Sequence, residues 1–176
     1  DKLAISYLGK KEFSGDLFNA IGEEGLIEVK KQNTLSAAYI FLSQGTPFIN
    51  GGQEFLRTKQ GDHNSYESND TINAIDLNFK TKYSDVYNTY KGLIAFRKAN
   101  SDAFGGNTSA TAETVKTGVT KYTTGDYLVY FNATKTAETI TTVGYTKVVD
   151  LTSGTPTENT TLPTSVPAKG FVILAK

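Results

Sequence analysis

The chemistry-bearing residues of this chain crowd into one stretch. Asp62, His63, Asn64, Ser65, Tyr66, Ser68, Asn69, Asp70 and Asn73 follow a Gly51-Gly52 pair within a long polar loop. Loops of this length in a compact domain usually have a binding or catalytic task. Sugar hydroxyls are donors and acceptors at once, so they are met by planar carboxylates and amides such as Asp62, Asn64, Asp70 and Asn73. The apolar face of a pyranose is met by an aromatic ring such as Tyr66. Ordinary Asx turns on a surface loop would use the same residue types. Cleaving a glycosidic bond requires two carboxyl groups about 5–10 Å apart across it. Glu54, Asp62, Glu67, Asp70 and Asp76 are available, but their spacing does not identify a pair.

Other chemistries fit less well. His63 is the sole histidine, and no Gly-x-Ser-x-Gly elbow accompanies it, which removes a Ser-His-Asp reading. Asp62-x-Asn64 opens like an EF-hand, but Tyr66 holds the third ligand position and the required glycine is missing. No His/Cys pattern supports zinc. Gly51-Gly52 lacks the companions of a phosphate loop. No metal or cofactor is therefore expected.

The flanking elements must position this loop. Leu35, Ala38, Tyr39 and Leu42 recur at helical spacing within residues 26–42, and Ala37, Ile40 and Phe41 fill the other face. The second half of that helix, Leu35 to Leu42, is expected to be buried nearly all round. Gly45 and Pro47 end it. Phe48-Ile49-Asn50, apolar without alternation, reads as a short parallel strand. Residues 83–100 read as a second long helix, capped by Ser84 or Asp85 and striped by Val86, Tyr90, Leu93, Ile94 and Arg97, with basic residues toward its end. Residues 1–8 read as a short helix, with glycines 9, 15, 22 and 25 marking an irregular connection. The order helix–strand–loop–helix presents a loop at the carboxyl end of a strand, as α/β folds do.

After residue 103 the chain becomes Thr-rich and β-branched. Residues 115–122, 127–132, 138–143, 147–151 and 171–174 read as short strands separated by turns, the pattern of an antiparallel sheet or of a small antiparallel β-sandwich. The expected organisation is thus α/β over residues 1–103 and all-β over 104–176. Lys+Arg and Asp+Glu balance at 18 each, which argues against charge-driven binding to nucleic acid or an anionic membrane. With Cys at zero there is no disulfide, thiolate metal site or Cys nucleophile. No apolar run reaches the ~20 residues of a membrane span. The chain lacks Met and opens mid-phrase at Asp1-Lys2-Leu3, which reads as a piece of something larger.

Two segments carry a resemblance. Residues 34–59, with Gly45-Thr-Pro-Phe-Ile-Asn-Gly-Gly-Gln-Glu-Phe55 at their centre, and residues 61–76, with Asn64-Ser-Tyr-Glu-Ser-Asn-Asp-Thr-Ile-Asn73, resemble type I pullulanases. These are starch-debranching enzymes of the α-amylase clan, glycoside hydrolase family 13. Lys91 to Ala99 is similar to the last helix of that family's (β/α)8 barrel. The resemblance implies the C-terminal part of such a barrel followed by a β-sandwich, and an α-glucan as substrate. It further implies that the catalytic carboxylates precede this chain, so no catalytic residue is assigned here. Asn64, Tyr66, Asp70 and Asn73 become the implied sugar-binding residues, and Asp62 joins them as a candidate on its chemistry alone. Asp76-Leu77 stands where the family usually has Asp-Trp, which removes a stacking ring. An extracellular or cell-surface location in a bacterium is also implied.

Two functional readings follow. In one, the chain is part of a retaining α-1,6-glucan hydrolase, incomplete without the upstream barrel. In the other, it is an autonomous carbohydrate-binding or structural β-module. The helix expected to be buried all round favours the first, because a free module would leave its apolar surface open. On that view Ile40, Phe41 and Phe48 should be exposed and should drive packing against an upstream fragment or self-association.

Overall fold

The computed structural model describes residues 1–176. The element order is α1 (Lys2–Tyr7), α2 (Leu17–Phe41), α3 (Asp70–Asn73), α4 (Asn78–Lys82), α5 (Ser84–Ala99) and α6 (Ser101–Phe104), then strands β1 (Ala110–Lys116), β2 (Val119–Thr124), β3 (Tyr127–Asn132), β4 (Glu138–Thr139), β5 (Lys147–Asp150), β6 (Thr157–Asn159), β7 (Ser165–Val166) and β8 (Gly170–Ala175). Six strands form one sheet in the order β1-β2-β3-β8-β5-β6, and β4 and β7 form a separate two-stranded ribbon. Every pairing is antiparallel.

Alternation in β3 and β8 explains the layering. Val129, Phe131, Ile173 and Ala175 join the core beneath α2 and α5. Leu128, Tyr130, Val172 and Leu174 join a second core, which includes Val166 of the ribbon. Successive side chains of a strand point to opposite faces, so the two central strands are mostly apolar and buried on both sides, with Asn132 the buried polar exception at the end of β3. The main core runs across the change from helix to strand. It takes Leu35, Ala38, Phe41 and Leu42 from α2 and its end, Val86, Tyr90, Leu93 and Phe96 from α5, and Val129, Phe131 and Ile173 from the sheet. The Tyr39 ring stacks on Phe131 at 4.1 Å, an aromatic contact joining α2 to β3. In α5, Gly92 is required by close approach, since a Cβ there would lie 2.3 Å from the Leu151 carbonyl oxygen.

Several expectations change. Residues 48–50 lie outside any strand, and Phe48 is 84% exposed. A parallel strand exists only through its neighbours, and no other segment of this chain pairs with it. No portion of a barrel is visible. The expected strand 115–122 is two strands, because Thr117-Gly118 turns the chain between β1 and β2 with Gly118 at φ +81°. The expected strand 138–143 pairs only over Glu138–Thr139, whereas 127–132 is found as read. Helix α2 starts nine residues early, at Leu17, where the Asp16 carboxylate accepts the Asn19 N–H (3.0 Å) and Gly22 kinks the helix at φ +66°. Neither Ser84 nor Asp85 caps α5. Helix α5 begins at Ser84 without a side-chain cap, and Asp85 pairs with Lys30 of α2 instead (2.9 Å). Arg97 serves the other helix, donating to the carbonyls of Phe41 (2.7 Å), Ser43 (2.6 Å) and Gly45 at the end of α2. Phe41, expected to be exposed, is buried against the sheet and α5, and Ile40 is half-buried.

Candidate functional site

The loop grows from a turn clamped between the two long helices. Gly52 adopts a left-handed conformation (φ +94°) and leads into a 3-10 turn over Gln53–Phe55. Three side chains lock that turn. The Tyr90 hydroxyl donates to Asn33 Oδ1, the Gln53 amide donates to the Tyr90 hydroxyl (3.0 Å), and the Asn33 amide donates to the Gln53 carbonyl (3.2 Å). Tyr90 and Asn33 are both buried, and burial pushes the Tyr90 pKa up to about 12. The phenol therefore stays a neutral donor. Glu54 folds back so that its carboxylate accepts the Gly52 N–H (2.9 Å).

Beyond the turn the backbone is tied down from below. The Asp1 carboxylate accepts from the Thr58 hydroxyl (2.6 Å) and the Lys59 N–H (2.9 Å). The Gln60 carbonyl accepts the Gly15 N–H (2.9 Å). Gly61 sits at φ +83°, and a Cβ there would lie 1.7 Å from the Phe13 carbonyl oxygen, so only glycine fits. Further along, Asp62 accepts the Asn64 N–H (2.9 Å) and the Ser68 hydroxyl (2.5 Å). These bonds, with Ser68 first, hold its carboxyl below the usual carboxylate range. The Asn73 amide donates to the carbonyls of Ser65 and Ser68 (2.7 Å each), and Arg57 donates to the Asn73 carbonyl. Lys59 Nζ donates to the Ser65 hydroxyl (2.5 Å).

The five residues singled out from the sequence therefore divide. Asp62 and Asn73 spend their side chains on the loop itself and shape it. Asn64, Tyr66 and Asp70 are exposed, Tyr66 at 76%, and point no side-chain hydrogen-bonding group into the loop's own network. The EF-hand-like opening Asp62-x-Asn64 is an Asx turn. No three of the His, Asp and Glu side chains gather in a way that could hold a metal ion. Asp76 accepts the Asn78 N–H (2.9 Å) at the start of α4. The loop borders a cavity of about 530 Å3, also lined by Asp1, Asn33, Gln53, Arg57 and Lys59. Sequence reading missed the positioning roles of Asp1, Asn33, Arg57 and Tyr90. Their partners lie as far as 60 residues away along the chain, so no local spacing reveals them.

What these features define is a helix-covered antiparallel sheet carrying a braced polar loop with an exposed aromatic ring. No family model matches the chain. In sequence it is 42% identical over 81 residues to a pullulanase of Bacillus subtilis, a stretch that is 46% of this chain and 11% of that one. It is 33% identical over 88 residues to an isoamylase of Pseudomonas amyloderamosa, covering 50% of this chain and 11% of the isoamylase. In fold it is similar to the pullulanase of Bacillus acidopullulyticus, with a TM-score of 0.68 and 24% identity over 85% of this chain and 21% of that one. The pullulanase of Anoxybacillus sp. LM18-11, solved in complex with maltotetraose, has a TM-score of 0.69 and 23% identity over 90% of this chain and 25% of its own. The chain thus resembles a portion of a pullulanase-like protein in both sequence and fold, and spans about a tenth of the length of the curated relatives it matches.

Proposed function

We propose that this chain is the C-terminal portion of a glycoside hydrolase that cleaves α-1,6-glucosidic branch links in pullulan, amylopectin or glycogen. It supplies one wall of the glucan site and the sheet that supports it. In this reading residues 1–103 complete a (β/α)8 barrel, with residues 48–50 becoming a strand once neighbours flank them, and residues 104–176 form the C-terminal β-domain. The catalytic carboxylates come from the upstream remainder of the barrel, and the protein works outside a bacterial cell or on its surface. The observation that carries this is the loop. Its shape is held by buried and internal hydrogen bonds, which leaves Tyr66, Asn64 and Asp70 free to meet a sugar. Preorganised groups bind without the cost of ordering themselves.

Tyr66 offers a ring face to a glucose unit, while Asn64 and Asp70 offer an amide and a carboxylate to its hydroxyls. None of them needs to transfer a proton, so their loss should weaken binding more than turnover. In the whole enzyme, Tyr66→Ala and Asp70→Ala are each expected to raise KM for branched dextrins roughly tenfold, as loss of a strong contact does, with a smaller change in kcat. Unchanged kinetics would reject the assignment. The pure chain alone should release no maltotriose from pullulan, and measurable release would overturn the claim that catalysis lies upstream.

A second reading, an autonomous sugar-binding or structural module, draws on one feature. Helix α2 finds much of its cover within the chain, against α5 and the sheet, with Ala37, Ala38 and Leu42 at 0% exposure. Its apolar surface therefore does not by itself demand an upstream partner.

A further inference from the structure

The segment that leads into the loop separates two cavities. Arg57 and Lys59 line the one described above. Thr58 and Gln60, the alternate residues, line a second groove of about 630 Å3 on the other side. Arg57, Thr58 and Lys59 lie outside regular secondary structure and Gln60 turns at φ +54°, so this division follows the irregular path of the backbone there. The second groove runs between the start of α2 and the α4–α5 junction and contains none of the five sugar-binding residues read from the sequence.

The groove's lining joins aromatic rings to planar polar groups. Phe18, Phe79 and Tyr83 form one aromatic cluster, with Tyr83 edge-on to Phe18 at 5.6 Å and to Phe79 at 5.4 Å. Phe18 and Phe79 are only half-buried, whereas Asn19 and Glu23 beside them are exposed. Asn19 uses its backbone N–H in the helix cap, which leaves its amide side chain for other partners. Tyr83 lines the groove while its hydroxyl is buried with no partner in the protein. That hydroxyl has almost no accessible surface, so Tyr83 lends the groove its ring and not a hydrogen bond. The volume falls within the range of small-molecule sites, which pair apolar walls with a few placed polar groups.

We propose that this groove is a second sugar-binding site, set back to back with the loop site across the wall formed by residues 57–60. The ligand class is a hexose unit with an apolar face for Phe18 or Phe79 and hydroxyls for Asn19, Glu23 and Gln60. Its identification as an α-glucan rests on the proposed function, but the groove's geometry does not. A glucan held here keeps a polymeric substrate close to the loop without occupying it, which raises the local concentration of further units.

The test is a titration of the 15N-labelled chain with maltotriose, followed by amide shifts. Two sets of perturbations are expected, one at Asn64, Tyr66 and Asp70 and the other at Asn19, Glu23 and Phe79. An Asn19→Ala, Glu23→Ala double variant, altered only at exposed positions, should weaken the second set roughly tenfold, as the loss of two hydrogen-bonding groups does, and leave the first unchanged. Tyr66→Ala should do the reverse. No perturbation at Asn19, Glu23 and Phe79 under saturating maltotriose, or their loss in Tyr66→Ala, would overturn the second site. Perturbation of the second set alone would support the groove while counting against the loop reading.

Discussion

The central strands and the polar loop are held by opposite means. In β3 and β8 nearly every side chain is buried, and burial of apolar area on both faces fixes the register. In the loop almost nothing is buried except Ser65, and the shape comes from side chains that accept or donate to the backbone around them. A sheet of this kind tolerates few changes at its centre but has little to offer a ligand. The braced loop puts its freedom at the surface, where Tyr66, Asn64 and Asp70 face solvent. The polar lock of Asn33, Gln53 and Tyr90 is where the two regimes meet, because Tyr90 sits in the apolar core and its hydroxyl holds the loop's root.

The contrast can be broken at several points. The largest effect is expected from Phe131→Ala, which removes a ring from the central strand and its stack on Tyr39. It should cost about 3–5 kcal/mol in urea unfolding, and a loss well below that would show that the helices and sheet do not share one core. Tyr90→Phe keeps the ring but strips the hydroxyl from the lock, leaving Asn33 Oδ1 without its donor and the Gln53 side-chain amide without its acceptor, while the Asn33 amide still donates to the Gln53 carbonyl. About 1–3 kcal/mol of stability should go, with faster amide exchange across residues 52–56, whereas a purely apolar role for Tyr90 predicts no change. Asn73→Ala should act locally instead. Ser65 and Ser68 lose their amide donor, so limited proteolysis between residues 62 and 70 should speed up while the unfolding midpoint moves little.

The smallest effect is a pH dependence confined to the loop. The Asp62 carboxyl titrates below its ordinary range because the Ser68 hydroxyl and the Asn64 N–H hold its charged form. Its contribution to loop order is therefore complete above the ordinary carboxylate value of about 4 and is lost as pH falls through the lowered folded value. Amide exchange at residues 62–68, corrected for intrinsic rate, should rise on acidification in the native chain. In Asp62→Asn the step should be absent, and an unchanged acid step there would assign it to another group.

Much of this was legible in the residue order. Helical spacing located α5 and the body of α2, and the run at 127–132 marked β3, because periodicity reflects which faces are covered. The motif through residues 64–73 marked the loop. The boundary errors have specific causes. Thr117-Gly118 separates two Thr-rich strands with no break in composition, and Gly22 and Gly25 read as part of an irregular connection although both lie within α2. Residues 48–50 carry an apolar pattern whose strand partners this chain does not provide.

Sequence alone determined where the hydroxyl, amide and carboxylate side chains are concentrated and that Asn64, Tyr66 and Asp70 belong to one short loop, because those properties are local. Only the tertiary structure decided that Asp62 and Asn73 brace the loop rather than face outward. It also revealed that Asp1, Asn33 and Tyr90 hold its root, and that alternate residues of 57–60 divide two cavities. Those roles depend on which distant groups come within hydrogen-bonding distance, and no spacing along the chain encodes that distance.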